Sequence, residues 1–445
     1  MASTYLQRTQ ASATGTGAQK FTFSAWVKKC KNGANQGLYG NTYSSTHRAF
    51  LYFDSSDRFT LYDSSGTEVA TSALLRDVNA FYHVVCSVDT TQSTASDRVK
   101  LYINGVLQTA LNANTYPSQN QDLKLMNTTN TPRVGAYDNG SGTVNYFEGV
   151  MSHVHFTQGY SYDASTFGET DSTTGEWKIN TSPTVANYGT NGFWILKDGN
   201  SVTDQSPNSN NWTVTGGTLT KTEDNPSNVF ATWNPLFPAG GTLGYDFGNT
   251  KLTNSGTAAY RTSVSTLGAS TGKFYAEFKC EGDTFFTGVL DINDTKMGIN
   301  DTTFGSSSNM TAYGYGIFNS TGNVSNNGST VVSGYSAALA NGDILGVALD
   351  ATNKKLYFAK NGVWQNSGVP TSGSTGTGAI SLASGDRTWV FASSVNGTNI
   401  SANFGNGYFK STAISSAGTN ASGIGIFEYD VPTGYTALST KGLNE

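Results

Sequence analysis

The stretch Phe21-Thr22-Phe23-Ser24-Ala25-Trp26-Val27 indicates the fold class. In a β-strand, successive side chains point to opposite faces of the sheet. Every second residue from Phe21 to Val27 is apolar, so these residues share one face. The pattern predicts a strand that buries one face against a core, and long helical periodicity is nearly absent from the rest of the chain.

Similar short runs recur along the whole sequence and are separated by turn sequences. Asp54-Ser55-Ser56-Asp57 joins two of them, and Asn104-Gly105 follows another as a strong hairpin signal, because both residues tolerate positive φ. The predicted strands are residues 21–27, 49–53, 58–62, 81–89, 99–103, 147–156, 273–280, 285–292, 312–318, 344–350, 355–359, 389–393 and 399–404. Short strands of this kind are typical of sandwiches or barrels, so the sequence predicts an all-β protein. The family resemblances of its two halves imply two antiparallel β-sandwich domains of the jelly-roll, lectin-like kind in tandem, with a short C-terminal tail.

Three prolines indicate the boundary between the two predicted domains. Pro226, Pro235 and Pro238 lie in the stretch 215–239, between the two series of predicted strands. We therefore place the first domain at residues 1–215, a linker at 216–242, the second domain at 243–410 and the tail at 411–445.

The composition narrows the function classes. Only 13% of the 445 residues are charged and 12% are aromatic, so Ser, Thr, Asn and Gly must cover much of the surface. Such neutral surfaces suit sugar contacts and are common on extracellular and virion proteins. The net charge is −5 without a basic run, so we expect no nucleic-acid partner. We also expect no membrane insertion and no classical secretion signal, because no stretch approaches the roughly 20 apolar residues of a membrane helix and Met1 to Lys20 is polar.

The titratable residues nominate no catalytic residue and no metal site. Lectin-like sandwiches include glycosidases, which need two facing carboxylates, but the acidic residues here lie mostly at turns. His83 lies within an apolar strand and is expected to pack there. His153 and His155 are two apart on a predicted strand and should face the same way, which is compatible with a metal pair or with ordinary packing.

Three elements in the first half occur in a recognisable order. They are residues 21–27, the run 81–89 followed by 99–105, and residues 147–156. These resemble the opening strand, the aromatic-x-His-Val strand with its Leu-Tyr-x-Asn-Gly hairpin, and the closing Phe-x-Gly strand of the laminin-G-like, concanavalin-type family. The resemblance covers most of residues 1–215.

The second half resembles a SPRY domain. The matching elements are residues 273–278, residues 342–350, the hairpin of 356–358 with Asn361-Gly362, and residues 403–405. The resemblance covers roughly residues 243–409. Both families consist mostly of binding modules whose rim loops contact sugars or proteins. The resemblance therefore implies a binding function for this chain, by analogy of fold and not of a matching site.

A laminin-G-like sandwich that includes residues 167–171 and 175–178, followed by a SPRY-like sandwich, resembles structural proteins of tailed phages of the marine type. It implies a non-enzymatic virion surface protein, made in the host cytoplasm and exposed on the particle. The first expectation is a tail fibre, spike or appendage component that binds a host surface glycan or protein. A capsid-decoration or other purely structural role stays open, as does a polysaccharide-degrading enzyme. Expected partners are other virion proteins, further copies of the chain in a homo-oligomer such as a trimer, and the host glycan or protein.

Aromatic residues in or beside predicted loops are the candidate ligand contacts, because exposed rings can stack on sugars. Together with an acidic turn, the candidate residues are Tyr43, Tyr137, Asp138, Asn139, Tyr335 and Trp364. Asp138-Asn139 is also the best position for calcium, if this chain binds that ion at a rim. A simple Asp-Asn-Gly turn is the alternative, and no other cofactor is expected.

Overall fold

The structure is a computed structural model. It describes residues 3–126, 130–237, 242–257, 259–294 and 312–445, together with the backbone of 302–303 and 309–310. The chain divides into two compact units. Unit 1 comprises Met1–Lys221 and Asn225–Ser227, and unit 2 comprises Thr222–Asp224 and Asn228–Glu445.

The regular secondary structure of unit 1 consists almost entirely of strands. They are β1 (Tyr5–Gln7), β2 (Lys20–Lys29), β3 (Gln36–Ser44), β4 (His47–Phe53), β5 (Phe59–Asp63), β6 (Thr67–Thr71), β7 (Tyr82–Asp89), β8 (Val99–Ile103), β9 (Val106–Leu107), β10 (Leu111–Thr115), β11 (Arg133–Val134), β12 (Tyr137–Asp138), β13 (Thr143–Val144), β14 (Gly149–Gln158), β15 (Gly168–Thr170), β16 (Trp177–Ile179), β17 (Phe193–Ile195) and β18 (Thr213–Thr215). One helical turn, α1 (Thr16–Gln19), and short 3-10 helices at Ala95–Asp97 and Ala164–Thr166 complete the unit.

Two antiparallel sheets of unit 1 pack face to face. Among the described residues, the larger sheet has the strand order β10-β6-β5-β4-β3-β11-β1-β18, and the smaller has the order β17-β14-β2-β7-β8-β9. The core between them takes Leu51 and Leu61 from the larger sheet and Phe23 and Val84 from the smaller. The alternation that predicted β2 is confirmed, because Phe23 is fully buried in this core.

Unit 2 repeats this architecture. Its strands are β19 (Gly244–Asp246), β20 (Lys251–Thr253), β21 (Arg261–Val264), β22 (Lys273–Cys280), β23 (Phe285–Asp291), β24 (Thr302–Thr303), β25 (Asn309–Met310), β26 (Gly314–Phe318), β27 (Val324–Asn326), β28 (Ser329–Val332), β29 (Ile344–Asp350), β30 (Lys355–Lys360), β31 (Val363–Trp364), β32 (Ile380–Ser381), β33 (Trp389–Val395), β34 (Asn399–Asn403), β35 (Tyr408–Phe409), β36 (Thr412–Ala413) and β37 (Thr436–Ala437). Short 3-10 helices lie at Pro370–Thr375 and Gly442–Asn444.

The sheets of unit 2 also form a sandwich. The larger follows the order β19-β20-β34-β22-β29-β30-β31, and β32 and β37 pair with β30 and β22; the smaller follows β21-β33-β23-β26-β27-β28. Phe278 and Val347 from the larger sheet meet Val289 and Phe391 from the smaller in one core. The prediction of an all-β chain with antiparallel, jelly-roll-type sandwiches is confirmed.

The structure differs from the sequence prediction at the proposed linker and tail. Trp233, in the stretch predicted as a linker, is buried in the core of unit 2. The predicted tail contributes β37, which pairs in parallel with β22, and it buries Phe427 and Tyr435 against the outer face of the larger sheet. These single aromatic residues are separated by polar turn residues and show no strand periodicity, so the sequence pattern could not reveal that they cover a sheet.

Within the described part of the chain, no helix combines the length and apolar character needed to cross a bilayer.

Candidate functional site

The outer face of the larger sheet of unit 1 carries aromatic side chains where a solvent-facing sheet would ordinarily carry short polar ones. Ala49, Leu51 and Phe53 of β4 point into the core, so the residues between them point outward. These outward residues are Phe50 and Tyr52. β5 pairs with β4 so that Tyr62 lies opposite Phe50 and faces the same way.

A hairpin from elsewhere in the chain completes the aromatic face. β12 and β13 form this hairpin, and Tyr137 at its start lies parallel to Phe50, with ring centroids 4.0 Å apart and an interplanar angle of 8°. Phe50 in turn stacks on Tyr62 at 4.9 Å and 20°. Tyr52 stands at an 80° angle to Phe50, 5.2 Å away. Three rings therefore form one stack across the strands, and Tyr52 stands beside it.

Two glycines of β3 make room for the hairpin. A Cβ atom on Gly37 would lie 2.5 Å from the carbonyl carbon of Ala136 and 2.9 Å from Cδ1 of Tyr137. A Cβ atom on Gly40 would lie 2.9 Å from Cβ of Phe50. Any larger residue would push the hairpin off the sheet, so these glycines are needed for the ring of Tyr137 to stack against the ring of Phe50.

Polar groups border the stacked rings. The hydroxyl of Tyr137 accepts a hydrogen bond of 2.7 Å from Nδ2 of Asn145. Arg48 donates from Nη1 to the carbonyl of Asn139 at 2.7 Å, and its guanidinium lies 5.6 Å from the centroid of Tyr62. Burial, and then the nearby carboxylate of Glu68, raise the pKa of the Tyr52 hydroxyl, which stays protonated. We call Arg48, Phe50, Tyr52, Tyr62, Glu68 and Tyr137 the phenol face.

A polar rim adjoins the phenol face at the β3–β4 turn. Tyr43 is 70% exposed there, and its ring meets the edge of the His47 ring at 6.2 Å. The hydroxyl of Thr42 donates to the carbonyl of Asp138 at 2.6 Å, and Gly140 lies against Ser45. We call residues 43–47 and 138–142 the rim. Four predicted contacts, Tyr43, Tyr137, Asp138 and Asn139, are thus brought together in one region of unit 1.

The position of Tyr137 corrects one part of the prediction. The sequence predicts an exposed loop ring that stacks on a sugar, but Tyr137 is only 5% exposed and its face is covered by Phe50. Its hydroxyl, rather than its face, borders the surface polar groups. The reason is the pair of small residues in β3, which let the hairpin fold down onto the sheet.

Asp138 does not fit a calcium site. Its Oδ1 accepts the backbone N–H groups of Gly140 and Gly142 at 2.7 and 3.3 Å, which closes an Asx turn. Its Oδ2 pairs with Nη2 of Arg133 at 3.1 Å. A guanidinium occupies the place where a cation would bind, so the alternative of a simple turn describes these residues better than calcium does.

Tyr335 and Trp364 belong to unit 2, and neither is an open loop ring as the sequence predicts. Tyr335 is 2% exposed, and its hydroxyl donates to the carbonyl of Gly378 at 2.9 Å. Trp364 lies in the edge strand β31, half-buried, with its ring edge-on to Tyr275 and Tyr357. Tyr335 packs edge-on to Phe358 within the core of unit 2, whereas Trp364 packs against the cluster on the outer face of the larger sheet.

The two neighbouring histidines of β14 are separated by a β-bulge. The pairing with β2 shifts between Ser152 and His155, and His153 takes a positive φ of 48° at the bulge. His155 is buried and stacks on Trp194 at 4.8 Å. Burial lowers the pKa of His153 to about 4 and that of His155 well below its ordinary value. Among the described residues, no group of three or more His, Cys, Asp or Glu side chains could hold a metal ion.

His83 is a packing residue with both ring nitrogens engaged. Nε1 of Trp177 donates to its Nδ1 at 3.0 Å, so the proton lies on Nε2, which donates to the hydroxyl of Ser24 at 2.9 Å. The ring stacks on Trp26 at 4.8 Å. Burial lowers the pKa of His83 to about 3. The neutral imidazole thus joins the β15–β16 hairpin to the smaller sheet of unit 1.

One acidic residue of unit 2 has a strongly perturbed pKa. Glu277 of β22 is buried, and its carboxylate accepts the backbone N–H groups of Glu428 and Tyr429, each at 2.8 Å. Burial raises the pKa of this carboxyl to about 7, and these hydrogen bonds limit the rise. The carboxylate is enclosed and binds the chain's own C-terminal segment.

The sequence pattern did not nominate Arg48, Tyr52, Tyr62 or Glu68 as site residues. A signal was present, because β4 and β5 carry aromatic residues on both of their alternating faces. A strand with one solvated face should be polar there. Aromatic residues on both faces of two adjacent strands therefore indicate a covered or ligand-binding outer face.

Comparisons with known proteins found a family model and several solved structures that are similar to parts of this chain. Residues 2–161 match the family model described as the concanavalin A-like lectin/glucanases superfamily. Similar solved structures include the SPRY domain of human HERC1, at 14% identity over 38% of this chain and 96% of that chain with a TM-score of 0.30. A human SPRY domain matches at 13% identity over 36% of this chain and 93% of that chain, with a TM-score of 0.25.

A third similar structure is the CBM40 of the Ruminococcus gnavus IT-sialidase bound to α2,3-sialyllactose, at 13% identity over 36% of this chain and 94% of that chain with a TM-score of 0.26. A search of curated proteins gave no match. Residues 2–161 are thus similar to concanavalin A-like lectin domains, and the similarity concerns the fold of this part of the chain.

Proposed function

We propose that this chain is a non-enzymatic surface component of a virus particle, a tail fibre, spike or appendage protein, whose unit 1 binds a host surface glycan. The observation that carries the binding proposal is the phenol face: an outer sheet face with half-buried tyrosines beside one arginine and one exposed glutamate. Phenol hydroxyls, amides and hydroxyl-bearing rim residues match the many hydroxyl groups of a sugar chain.

A glycan fits this surface better than a protein partner does. The large exposed hydrophobic residues of the chain include only Tyr43 from the rim and none from the phenol face. Protein interfaces usually have an apolar core with a polar rim. The rings of the phenol face pack on one another instead, and Glu68 is exposed beside them.

The virion assignment rests on two features of the sequence. The laminin-G-like and SPRY-like resemblances, in this order, resemble the arrangement of tailed-phage structural proteins, and only 13% of the residues of the chain are charged. We propose other virion proteins and further copies of the chain, such as a trimer, as partners. A homo-oligomer would present several weak glycan sites together, and multivalency would strengthen attachment without any new contact.

A glycan array tests the binding proposal. Purified full-length chain is applied to an array of bacterial surface polysaccharides, together with the variants Tyr52→Ala and Tyr62→Ala. Tyr160→Ala is the control, because Tyr160 is a tyrosine of unit 1 that is 40% exposed and lies outside the phenol face. We expect selective binding that both phenol-face variants weaken and the control leaves unchanged. No binding to any polysaccharide would contradict the proposal.

Two further measurements test the proposed location on the virus particle and the proposed lack of enzymatic activity. Gold-labelled antibodies against the chain should mark the tail or appendages of the particle, whereas uniform labelling of the capsid would indicate a decoration role. Incubation with the bound polysaccharide should release no new reducing ends. Steady release would contradict the non-enzymatic assignment.

A further inference from the structure

We infer, on the basis of the proposed glycan binding, that the ligand is an extended, hydroxyl-rich polysaccharide chain that lies along β4 and is recognised by phenol hydroxyls rather than by stacking on ring faces. The orientation of the aromatic rings in the phenol face supports this inference, and no resemblance of fold specifies that orientation.

The ring faces of the stack are already occupied. The ring of Phe50 lies between the ring of Tyr137 from the β12–β13 hairpin and the ring of Tyr62 from β5. The centroid distances are 4.0 and 4.9 Å, and the interplanar angles are 8° and 20°. The rings stack side by side across the strands, so their edges point away from the sheet. The guanidinium of Arg48 adds a further contact to Tyr62 at 5.6 Å from its centroid. A sugar approaching from solvent therefore meets ring edges and hydroxyls.

The hydroxyl groups are suited to hydrogen bonding with a neutral chain. Burial raises the pKa of the hydroxyl of Tyr52, which is half-buried, so this phenol stays protonated and can donate as well as accept. Arg48 and Glu68 contribute one charge of each sign, so the face as a whole favours neither an anionic nor a cationic ligand. This balance favours an uncharged polyhydroxyl chain.

The length of the surface favours several sugar units over one. Arg48 and Tyr52 are four residues apart on β4, which corresponds to about 13 Å at the usual rise of a strand. The rim continues the same polar surface beyond Arg48, where Asn139 and the β3–β4 turn lie. A ligand that uses both the phenol face and the rim must therefore be a chain rather than a terminal monosaccharide.

A length series tests the chain part of the inference. The polysaccharide bound on the array is cleaved and size-fractionated into fragments of one to six units, and each fragment is titrated calorimetrically into the full-length chain. We expect affinity to increase over the first three or four units and then level off. A single sugar that binds as tightly as the longest fragment would overturn the inference while leaving the proposed glycan binding intact. Absence of binding to the parent polysaccharide would instead contradict the proposed function.

A pair of substitutions at one position tests the hydroxyl part. Tyr62→Phe keeps the ring and removes the hydroxyl, and Tyr62→Ala removes both. If hydroxyls recognise the chain, Tyr62→Phe should weaken binding about 2- to 10-fold, which is the loss expected for one hydrogen bond, and Tyr62→Ala should be little worse. Tyr160→Phe is the control. Retention of full affinity by Tyr62→Phe, together with loss in Tyr62→Ala, would show stacking and overturn the inference.

Discussion

Tyr137 lies flat on Phe50, 4.0 Å from ring centroid to ring centroid, although the two residues come from separate hairpins of unit 1. This contact holds the β12–β13 hairpin on the outer face of the larger sheet. Because the stacked rings cover one another's faces, the ring edges and hydroxyl groups face the solvent.

Gly37→Ala should lift the β12–β13 hairpin, because the added methyl group would lie 2.5 Å from the backbone of Ala136. We expect unit 1 to lose about 1–3 kcal/mol of unfolding free energy, as is usual for overpacking, and to bind its polysaccharide more weakly. Denaturant unfolding and calorimetric titration measure the two effects. Gly256→Ala is the control, since its Cβ would make only an ordinary contact. An unchanged Gly37→Ala protein would disprove the role assigned to this glycine.

Asp57→Ala should strongly destabilise unit 1. Asp57 accepts hydrogen bonds from Lys29 at 2.6 Å and from Arg76 at 3.1 Å, and the side chain of Lys29 is 0% exposed. Removing the carboxylate leaves a buried ammonium without its counter-charge, which typically costs about 3–5 kcal/mol.

Chemical denaturation of the wild-type chain and of Asp57→Ala measures this loss of unfolding free energy. The control is Asp97→Ala, which breaks the exposed pair with Lys100 and should cost less than about 1 kcal/mol. Equal effects of the two substitutions would contradict the account of the buried pair.

Unit 1 should lose stability in acid. The pKa of His83 is about 3 in the folded protein, against an ordinary value of 6.5, because burial disfavours the charged imidazole. The folded state therefore binds fewer protons than the unfolded state below pH 6.5, and the stability that His83 contributes is lost as pH falls from 6.5 towards 3. Hydrogen exchange of β2 and β7 at pH 7.5 and 5.0 measures the change, and slower exchange at the lower pH, after correction for intrinsic rates, would refute it.

Unit 2 should show the opposite dependence between pH 5 and pH 8. Glu277 has a raised pKa of about 7, against an ordinary value of 4.5, so the folded state holds its proton at pH values where the unfolded state has released it. The stability from this group is complete below pH 4.5 and is lost as pH rises through 7. All four histidines lie in unit 1, so none adds to this trend in unit 2.

Hydrogen exchange of β22 and β29 in the wild-type chain and in Glu277→Gln separates this effect from others. The wild type should exchange more slowly at pH 5 than at pH 8 after correction for intrinsic rates, and Glu277→Gln should show a smaller difference. A variant with the same pH dependence as the wild type would show that Glu277 is not responsible.

The regular part of the fold could be predicted from the sequence because β-sandwich strands carry their own signal. The alternation over residues 21–27 indicated β2, and the Asn-Gly pairs at 104–105 and 361–362 indicated two hairpins that the structure contains. Both asparagines have a positive φ, at 48° and 47°, as the hairpin geometry requires. Local chemistry of this kind needs no knowledge of the rest of the chain.

The candidate site was only partly predictable because it depends on contacts between distant segments. Tyr43 was predicted as an aromatic residue beside a loop, and Asp138 and Asn139 were predicted from turn chemistry. All three lie together on the rim. Whether Tyr137 would be exposed depended on two glycines of β3, about a hundred residues earlier in the chain. The burial of Tyr335 within unit 2 could not be predicted for the same reason. The local sequence around a tyrosine beside a turn does not show whether another segment covers its ring.

Residue-resolved footprinting of the full-length chain tests the central claim most directly. Tyrosine oxidation by hydroxyl radicals is measured by mass spectrometry with and without saturating polysaccharide from the array. The account predicts that Tyr52 and Tyr62 become protected while Tyr160 does not change. Saturating binding that leaves Tyr52 and Tyr62 as reactive as in the free protein would contradict the assignment of the glycan site to the phenol face.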